Sequence, residues 1–306
     1  MSTDVSTSAV TPLAHGHRVH GPSALGGDRG RFWALTFTLA RTEFKLRFFG
    51  SALGYLWQLV RPLMLFTVLY VFFTKVAQVN KQHAPGQEHY GAQLLGSIIL
   101  FTFFIEATSG AIRSVVDREN LVRKIQFPRM AIPLSVVLLA MFNLGLNLIV
   151  VFVFMTIEGV YPMLSWLELP LLIGLLMVLA TGVAMLLSAL FVTFRDIQPI
   201  WEVICQILMY ASPVIISIET VLAAFKSHEH KFLLHHHYLL QVYMLNPLAV
   251  IFQQFRHAMI TPATPSAGQV IGSWMGLGGA LAIVLAIFIA GFVVFNRSAR
   301  RIAENL

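Results

Sequence analysis

Few side chains in this sequence could do chemistry, and the first is a carboxyl where apolar residues surround it. Glu106 stands within LLGSIILFTFFIEATSGAI, and an ionisable group inside such a run is costly enough to be a functional candidate. Its other reading is a carboxyl facing a wet interior between helices. Asp196 and Glu202 could make the acid pair that a transferase would need at a lipid–water boundary, although Glu202 also fits a plain interfacial position. His235, His236 and His237, with His228 and His230 upstream, could offer imidazoles to a metal. No carboxylate or cysteine flanks them at a familiar ligand spacing, so the expectation is a wet polar loop and no metal. The single cysteine, Cys205, lies in apolar sequence, which leaves neither a disulfide framework nor a thiolate metal site. No Gly-x-x-x-x-Gly-Lys-Ser/Thr, His-Glu-x-x-His or Gly-x-Ser-x-Gly motif occurs, so the chain hydrolyses no nucleotide through a P-loop. A proton relay needs several ionisable groups along a path, and the apolar runs offer too few. The expectation is a chain with no catalytic residue and no cofactor of its own.

The elements around these residues are membrane helices. Hydrophobic residues make up 57% of the 306, charged residues 11%, and mean hydropathy is +0.75. Soluble domains carry roughly 25% charged residues, and a larger core would still need a polar surface. A bilayer removes that need. Segments of about 20 apolar residues, enough to span, fall at about 57–76, 92–112, 131–156, 167–194, 199–218 and 269–295. The net charge of +7 is spread through the short pieces between them, not gathered on one face as a nucleic-acid binder requires. If the spans alternate, fifteen Lys and Arg fall on one side and five on the other, which puts both termini in the cytoplasm. Residues 1–30 are polar, contain no apolar stretch, and read as a disordered cytoplasmic tail without a cleavable leader.

Three further segments carry information. Residues 31–49 interleave Trp33, Phe44 and Phe48 with Lys45 and Arg47, as an amphipathic helix lying along the cytoplasmic leaflet would; the alternative is a frayed start to the first span. Gly50 and Gly54 would let the chain turn into the membrane. Residues 113–127 place Val115, Val116, Leu121, Val122 and Ile125 among charges at helical spacing, which suits a helix docking on a partner better than a loop. The stretch 217–268 is too long for a connector. Its apolar pieces, Val221 to Phe225 and Leu245 to Phe255, suggest short re-entrant helices in the outer leaflet.

Four blocks together resemble the type-2 ABC exporter permeases of lipid-linked polysaccharides: O-antigen, teichoic acid, capsule and galactan. At 47–63 the sequence reads RFFGSALGYLWQLVRPL, matching at Arg47, Gly50, Ser51, Leu53, Gly54, Trp57, Pro62 and Leu63. Asn120-Leu121 through Phe127-Pro128 with Pro133, then Phe194-Arg195-Asp196-Ile197, follow in order. Ser212-Pro213-Val214 and Leu245-Asn246-Pro247-Leu248 complete the set. The likeness covers about residues 30–300; the His-containing tail and the His-rich piece at 228–237 depart from it.

The resemblance implies an all-α membrane protein of six transmembrane helices that homodimerises in the inner membrane of a bacterium and serves cell-envelope biogenesis. It implies two copies of a separate ATPase, which bind the ATP and Mg, and a polyprenyl-linked polysaccharide as substrate. By likeness the 113–127 helix couples to the ATPase through Asp117, Arg118, Glu119, Asn120, Arg123 and Lys124, with Arg195 and Asp196 nearby. The pore would form between the first and fifth spans of two protomers, and Pro213, Asn246 and Pro247 would belong to its gate. The rivals are a permease for another amphiphile and a membrane-embedded transferase on polyprenyl-linked glycans.

Overall fold

The computed structural model describes residues 29–48, 54–76, 89–119, 128–216, 218, 243–259, 264–272 and 274–305. Its elements are all helical. In chain order they are α1 (Arg29–Phe48), α2 (Gly54–Val71), α3 (Tyr90–Ile112), α4 (Ala131–Ile157), α5 (Leu169–Thr193), α6 (Ile197–Tyr210), α7 (Pro247–Met259), α8 (Ala267–Ile271) and α9 (Trp274–Asn305). A π-helical turn, Phe72–Val76, extends α2, and a 3₁₀ turn, Leu164–Glu168, leads into α5.

The layering follows from which helices bury most of their surface. In the most apolar stretch of α3, 72% of residues are buried, against 11% for α2 with its π turn and 17% for α9. So α3 is the axis of the bundle, packed between α4 and α5, while α2 and α9 stand at its edge. An apolar helix that stays exposed is unstable in water and at home in lipid or against a second apolar surface. On the far side, α5 and α9 approach closely because glycines face each other: a Cβ on Gly182 would fall 2.6 Å from the Phe288 Cα. Small residues at such crossings let helix backbones pack without side chains between them.

Among the described residues five helices are long and apolar enough to cross a membrane: Leu56–Val76, Tyr90–Ile112, Ala131–Ile157, Leu164–Thr193 and Leu277–Ser298. The segment expected as the fifth of six spans, 199–218, is different. Its helix, α6, has 14 residues, about 21 Å at 1.5 Å per residue, and then gives way to turns at 211–216. Pro213, which lacks a backbone N–H and closes the turn, explains the break. The segment still runs the length of α3. The Arg113 Nε donates to the Gln198 Oε1 at 2.5 Å at one end, and the Tyr90 hydroxyl donates to the Ile215 carbonyl at 3.0 Å at the other.

Two boundaries also differ from expectation. The sixth span begins at Trp274 because Gly272, at φ 70°, ends a separate short helix. After α3 the chain does not start a regular helix at Arg113; residues 113–118 form successive turns. There the Ser114 Oγ donates to the Ala111 carbonyl at 2.7 Å, a local bond that competes with helical pairing. Residues 120–127 of the expected 113–127 helix, including Asn120, Arg123 and Lys124, lie outside the described residues, as do Gly50, Ser51, the His-rich piece at 228–237 and residues 1–28.

Candidate functional site

At one end of the bundle α1 lies along α4. Phe32, Thr36 and Ala40 are buried at four-residue spacing, one stripe of the helix, while Trp33 and Lys45 remain exposed. Phe44 and Phe37 both meet the Phe142 ring edge-on, with centroids 5.8 Å away. Phe48 closes the helix, and Arg47 in its last turn is exposed. The segment expected as an amphipathic helix at 31–49 is a docked helix, packed by one aromatic side and exposed on the other.

The turn after α3 is tied to three elements at once. Arg118 pairs with Glu43 of α1, and its Nη1 donates to the Ser135 Oγ of α4 at 3.3 Å. Arg113 reaches Gln198 of α6, whose Nε2 donates to the Glu202 Oε1 at 3.2 Å. Asp117 is exposed and Glu119 half-buried beside them. Arg195 and Asp196 form the exposed corner before α6, where Asp196 occupies the N-cap without a side-chain cap. Asp196 and Glu202 stand six positions apart, hence on different helix faces, and do not converge as an acid pair. Gln198, Glu202, Gln206 and Tyr210 recur every four residues on α6, and Glu202, Gln206 and Tyr210 are exposed. That is a polar stripe on an otherwise apolar helix.

Deeper, Glu106 binds two amides. The Gln58 Nε2 of α2 donates to its Oε1 at 2.6 Å and the Asn143 Nδ2 of α4 to its Oε2 at 2.9 Å. Asn147 Nδ2 in turn holds the Asn143 carbonyl at 3.0 Å. A cavity of about 820 Å³ opens beside this node, lined by Glu43, Arg47, Arg118 and Glu106 together with apolar residues such as Leu139. Trp57 is exposed one residue before Gln58, and Pro62 is buried one turn beyond it.

At the opposite end, Asn246 joins the break after α6 to the start of α7. Its Nδ2 donates to the Ala211 carbonyl at 3.1 Å and to the Ser212 Oγ at 3.0 Å, while its Oδ1 accepts from the Leu248 N–H at 3.0 Å. Pro247 opens α7, where a missing N–H costs nothing, and Pro213 is buried in the turn. The other end of α7 is capped from the α5 approach. The Ser165 Oγ donates to the Ala258 carbonyl at 2.7 Å and the Trp166 Nε1 to that of Met259 at 3.1 Å. Buried Arg256 and the Tyr243 phenol face the same interior; burial pushes that phenol above its usual range and the Arg256 charge opposes the shift. Glu158 accepts the Ala92 N–H at 3.1 Å at the start of α3, and burial raises its carboxyl above the ordinary value, against that bond and the charge of His89. Among the described residues no three His, Cys, Asp or Glu cluster as metal ligands.

The ABC-2 type transporter family matches residues 34–260, from within α1 to the end of α7. The chain belongs to this family. Among its relatives, the O-antigen export system permease protein RfbA of Klebsiella pneumoniae is 24% identical over 278 residues, 90% of this chain and 96% of the relative. The protein of the same name from Myxococcus xanthus is 27% identical over 191 residues, 62% of this chain and 71% of the relative. The ABC-2 chain described here is a multi-pass membrane protein and a transport subunit.

The structure brings Arg118 to α1 and α4, Asn246 to Ser212 beside Pro213, and leaves Asp117, Arg195 and Asp196 exposed. Sequence reasoning passed over their partners Glu43, Ser135, Gln198 and Ser212. It also passed over Gln58, Asn143 and Asn147, whose signal was legible as amides inside apolar runs, costly at membrane depth unless paired.

Proposed function

We propose that this chain is the permease subunit of an ATP-driven exporter that carries a polyprenyl-linked polysaccharide across the cytoplasmic membrane of a bacterium. Two copies form the pore, with both termini in the cytoplasm, and two copies of a separate ATPase bind ATP and Mg below them. The observation that carries this reading is the turn after α3, which side chains join simultaneously to α1, α4 and α6. A push from a partner on that turn reaches the interfacial helix and the polar stripe of α6 together, which rigid packed helices transmit as a two-state movement. Exposed Asp117 and half-buried Glu119, with Arg123 and Lys124 following in sequence, supply charges that would set the partner's orientation. The polar stripe at Glu202 and Gln206 suits a water-lined path between α2 and α6 of two protomers, and α7 with Asn246 suits a gate at its outer mouth. The O-antigen export named for the two RfbA relatives supports a polysaccharide as cargo.

The test is co-purification with the candidate ATPase and assay of ATP hydrolysis with and without polyprenyl-linked glycan. Stimulation by the glycan is expected. A stable complex whose hydrolysis ignores every glycan tried would refute the substrate, and failure of any ATPase to associate would refute the division of labour. Replacing Glu119, Arg123 and Lys124 together should uncouple hydrolysis from export with the complex intact.

A further inference from the structure

Glu106, the costliest residue of the apolar runs, has no task in the account above. Its two amide neighbours suggest one. The carboxylate receives Gln58 from α2 and Asn143 from α4, so it joins three helices at a single point. In the most apolar stretches of α3 and α4, 72% and 44% of residues are buried, against 11% for α2 with its π turn. The carboxylate and Asn143 therefore stand on the firmly packed side, and Gln58 is the moveable partner.

Gln58 sits at a weak point of α2. Pro62 lies four residues on, and a proline cannot return the N–H that the carbonyl of Gln58 would accept, nor does its ring fit against that carbonyl. Helices bend most easily at such a step. Beyond it α2 is held by aromatic packing: Phe66 is buried and meets Phe154 of α4 edge-on at 5.2 Å. Before the proline, the described side-chain hydrogen bond from α2 to the rest of the protomer is the one from Gln58 to Glu106. The helix thus has a packed outer arm, a proline step, and an inner arm held at a carboxylate. The cavity of about 820 Å³ that Glu106 lines offers water to replace Gln58 if the arm swings away.

We propose that Glu106 is a positioning residue that latches the inner arm of α2 across the Pro62 hinge, and that transport requires this latch to open and reclose. The proposal rests on the reading that α2 borders the path. A charged acceptor suits a reversible latch, since hydrogen bonds to ionised groups are stronger than neutral ones and water in the cavity can solvate the carboxylate when the amide leaves.

The experiment uses the full chain assembled with its ATPase in vesicles, reading export, hydrolysis per molecule exported, and leakage of a small trapped solute. Gln58→Glu sets two carboxylates against each other; export per ATP is expected to fall on the order of 10-fold, the worth of a charge-assisted bond, with leakage raised. Gln58→Glu with Glu106→Gln restores one carboxylate and one amide and should return both readouts to near wild type. Gln58→Leu removes the bond without adding charge and should show the same leak if the charged variant does not assemble. Pro62→Ala stiffens the hinge, so in that background Gln58→Leu should change leakage little. A structural role alone would lower complex yield and leave the ratio of export to hydrolysis unchanged. Wild-type ratio and leakage in Gln58→Leu, or no recovery in the exchanged pair, overturns the latch. A wild-type chain that binds no ATPase and exports nothing defeats the functional reading instead.

Discussion

The Asn246 side chain is the clasp between two interrupted helices: its Nδ2 binds the Ala211 carbonyl at 3.1 Å, and its Oδ1 accepts the Leu248 N–H at 3.0 Å. Irregular backbone at membrane depth is tolerated where protein satisfies its polar groups, and here one side chain serves both broken ends. Asn246→Asp keeps the acceptor for Leu248 but removes the donor to Ala211 and Ser212; Asn246→Ala removes both. Each lost partner of a buried polar group costs about 1–3 kcal/mol. Melting of the purified chain should fall in the order wild type, Asp, Ala. If Asp melts with wild type, the tie to the α6 break contributes nothing.

The α5–α9 crossing makes a second prediction. An added Cβ at Gly182 would meet the Phe288 Cα at 2.6 Å, and one at Gly291 would collide with the Gly182 backbone. These are backbone atoms, which cannot turn aside as a side-chain tip can. Gly182→Ala should lower stability by about 1–3 kcal/mol through overpacking. Gly174, on the same helix with open space around its position, serves as control and should tolerate alanine. Equal melting of the two variants would show that α9 shifts freely against α5.

Much of this architecture was readable in sequence because lipid imposes length and polarity on a spanning helix. The segment at 131–156 became Ala131–Ile157, and that at 92–112 became Tyr90–Ile112. The break in α6 was not read as such, since 199–218 is apolar enough to span and only Pro213 within it hints at a turn. Apolar content reports depth, not whether the backbone stays helical. The contacts around the turn after α3 were half legible. The charges on the turn after α3 stood out, but Glu43 lies 75 positions from Arg118 and Gln198 lies 85 from Arg113. Pairings across such separations depend on how the helices stack, which one sequence does not state.

Acid should favour the fold at Glu158. Burial holds this carboxyl above the ordinary glutamate value, outweighing the Ala92 N–H and the charge of His89. A carboxyl raised in the folded state binds its proton more tightly there than when unfolded. Its stabilising share is complete below the unfolded value and is lost as pH rises through the folded value. Melting of the detergent-solubilised chain should therefore fall as pH climbs from about 4 upward through the raised value. Glu158→Gln keeps an acceptor for Ala92 and removes the titration, so that portion of the slope should vanish. An unchanged slope would assign it to other groups.

The Glu43–Arg118 pair should matter more for coupling than for stability. The two side chains are 41% and 21% exposed, so water and salt screen them and the pair stabilises the fold by less than about 1 kcal/mol. Its position gives it a larger effect on movement, because it is the described ion pair between α1 and the turn after α3. Glu43→Gln and Arg118→Gln should each leave melting nearly unchanged while lowering the stimulation of the proposed partner ATPase. The double variant should be no worse than the single ones, since both break the same link. Raising the salt should weaken stimulation in wild type toward the level of the variants. Glu43→Gln leaves the Arg118 bond to Ser135 in place, so a loss shared by the two variants points to the ion pair. Additive losses would show that Glu43 and Arg118 act on the partner independently.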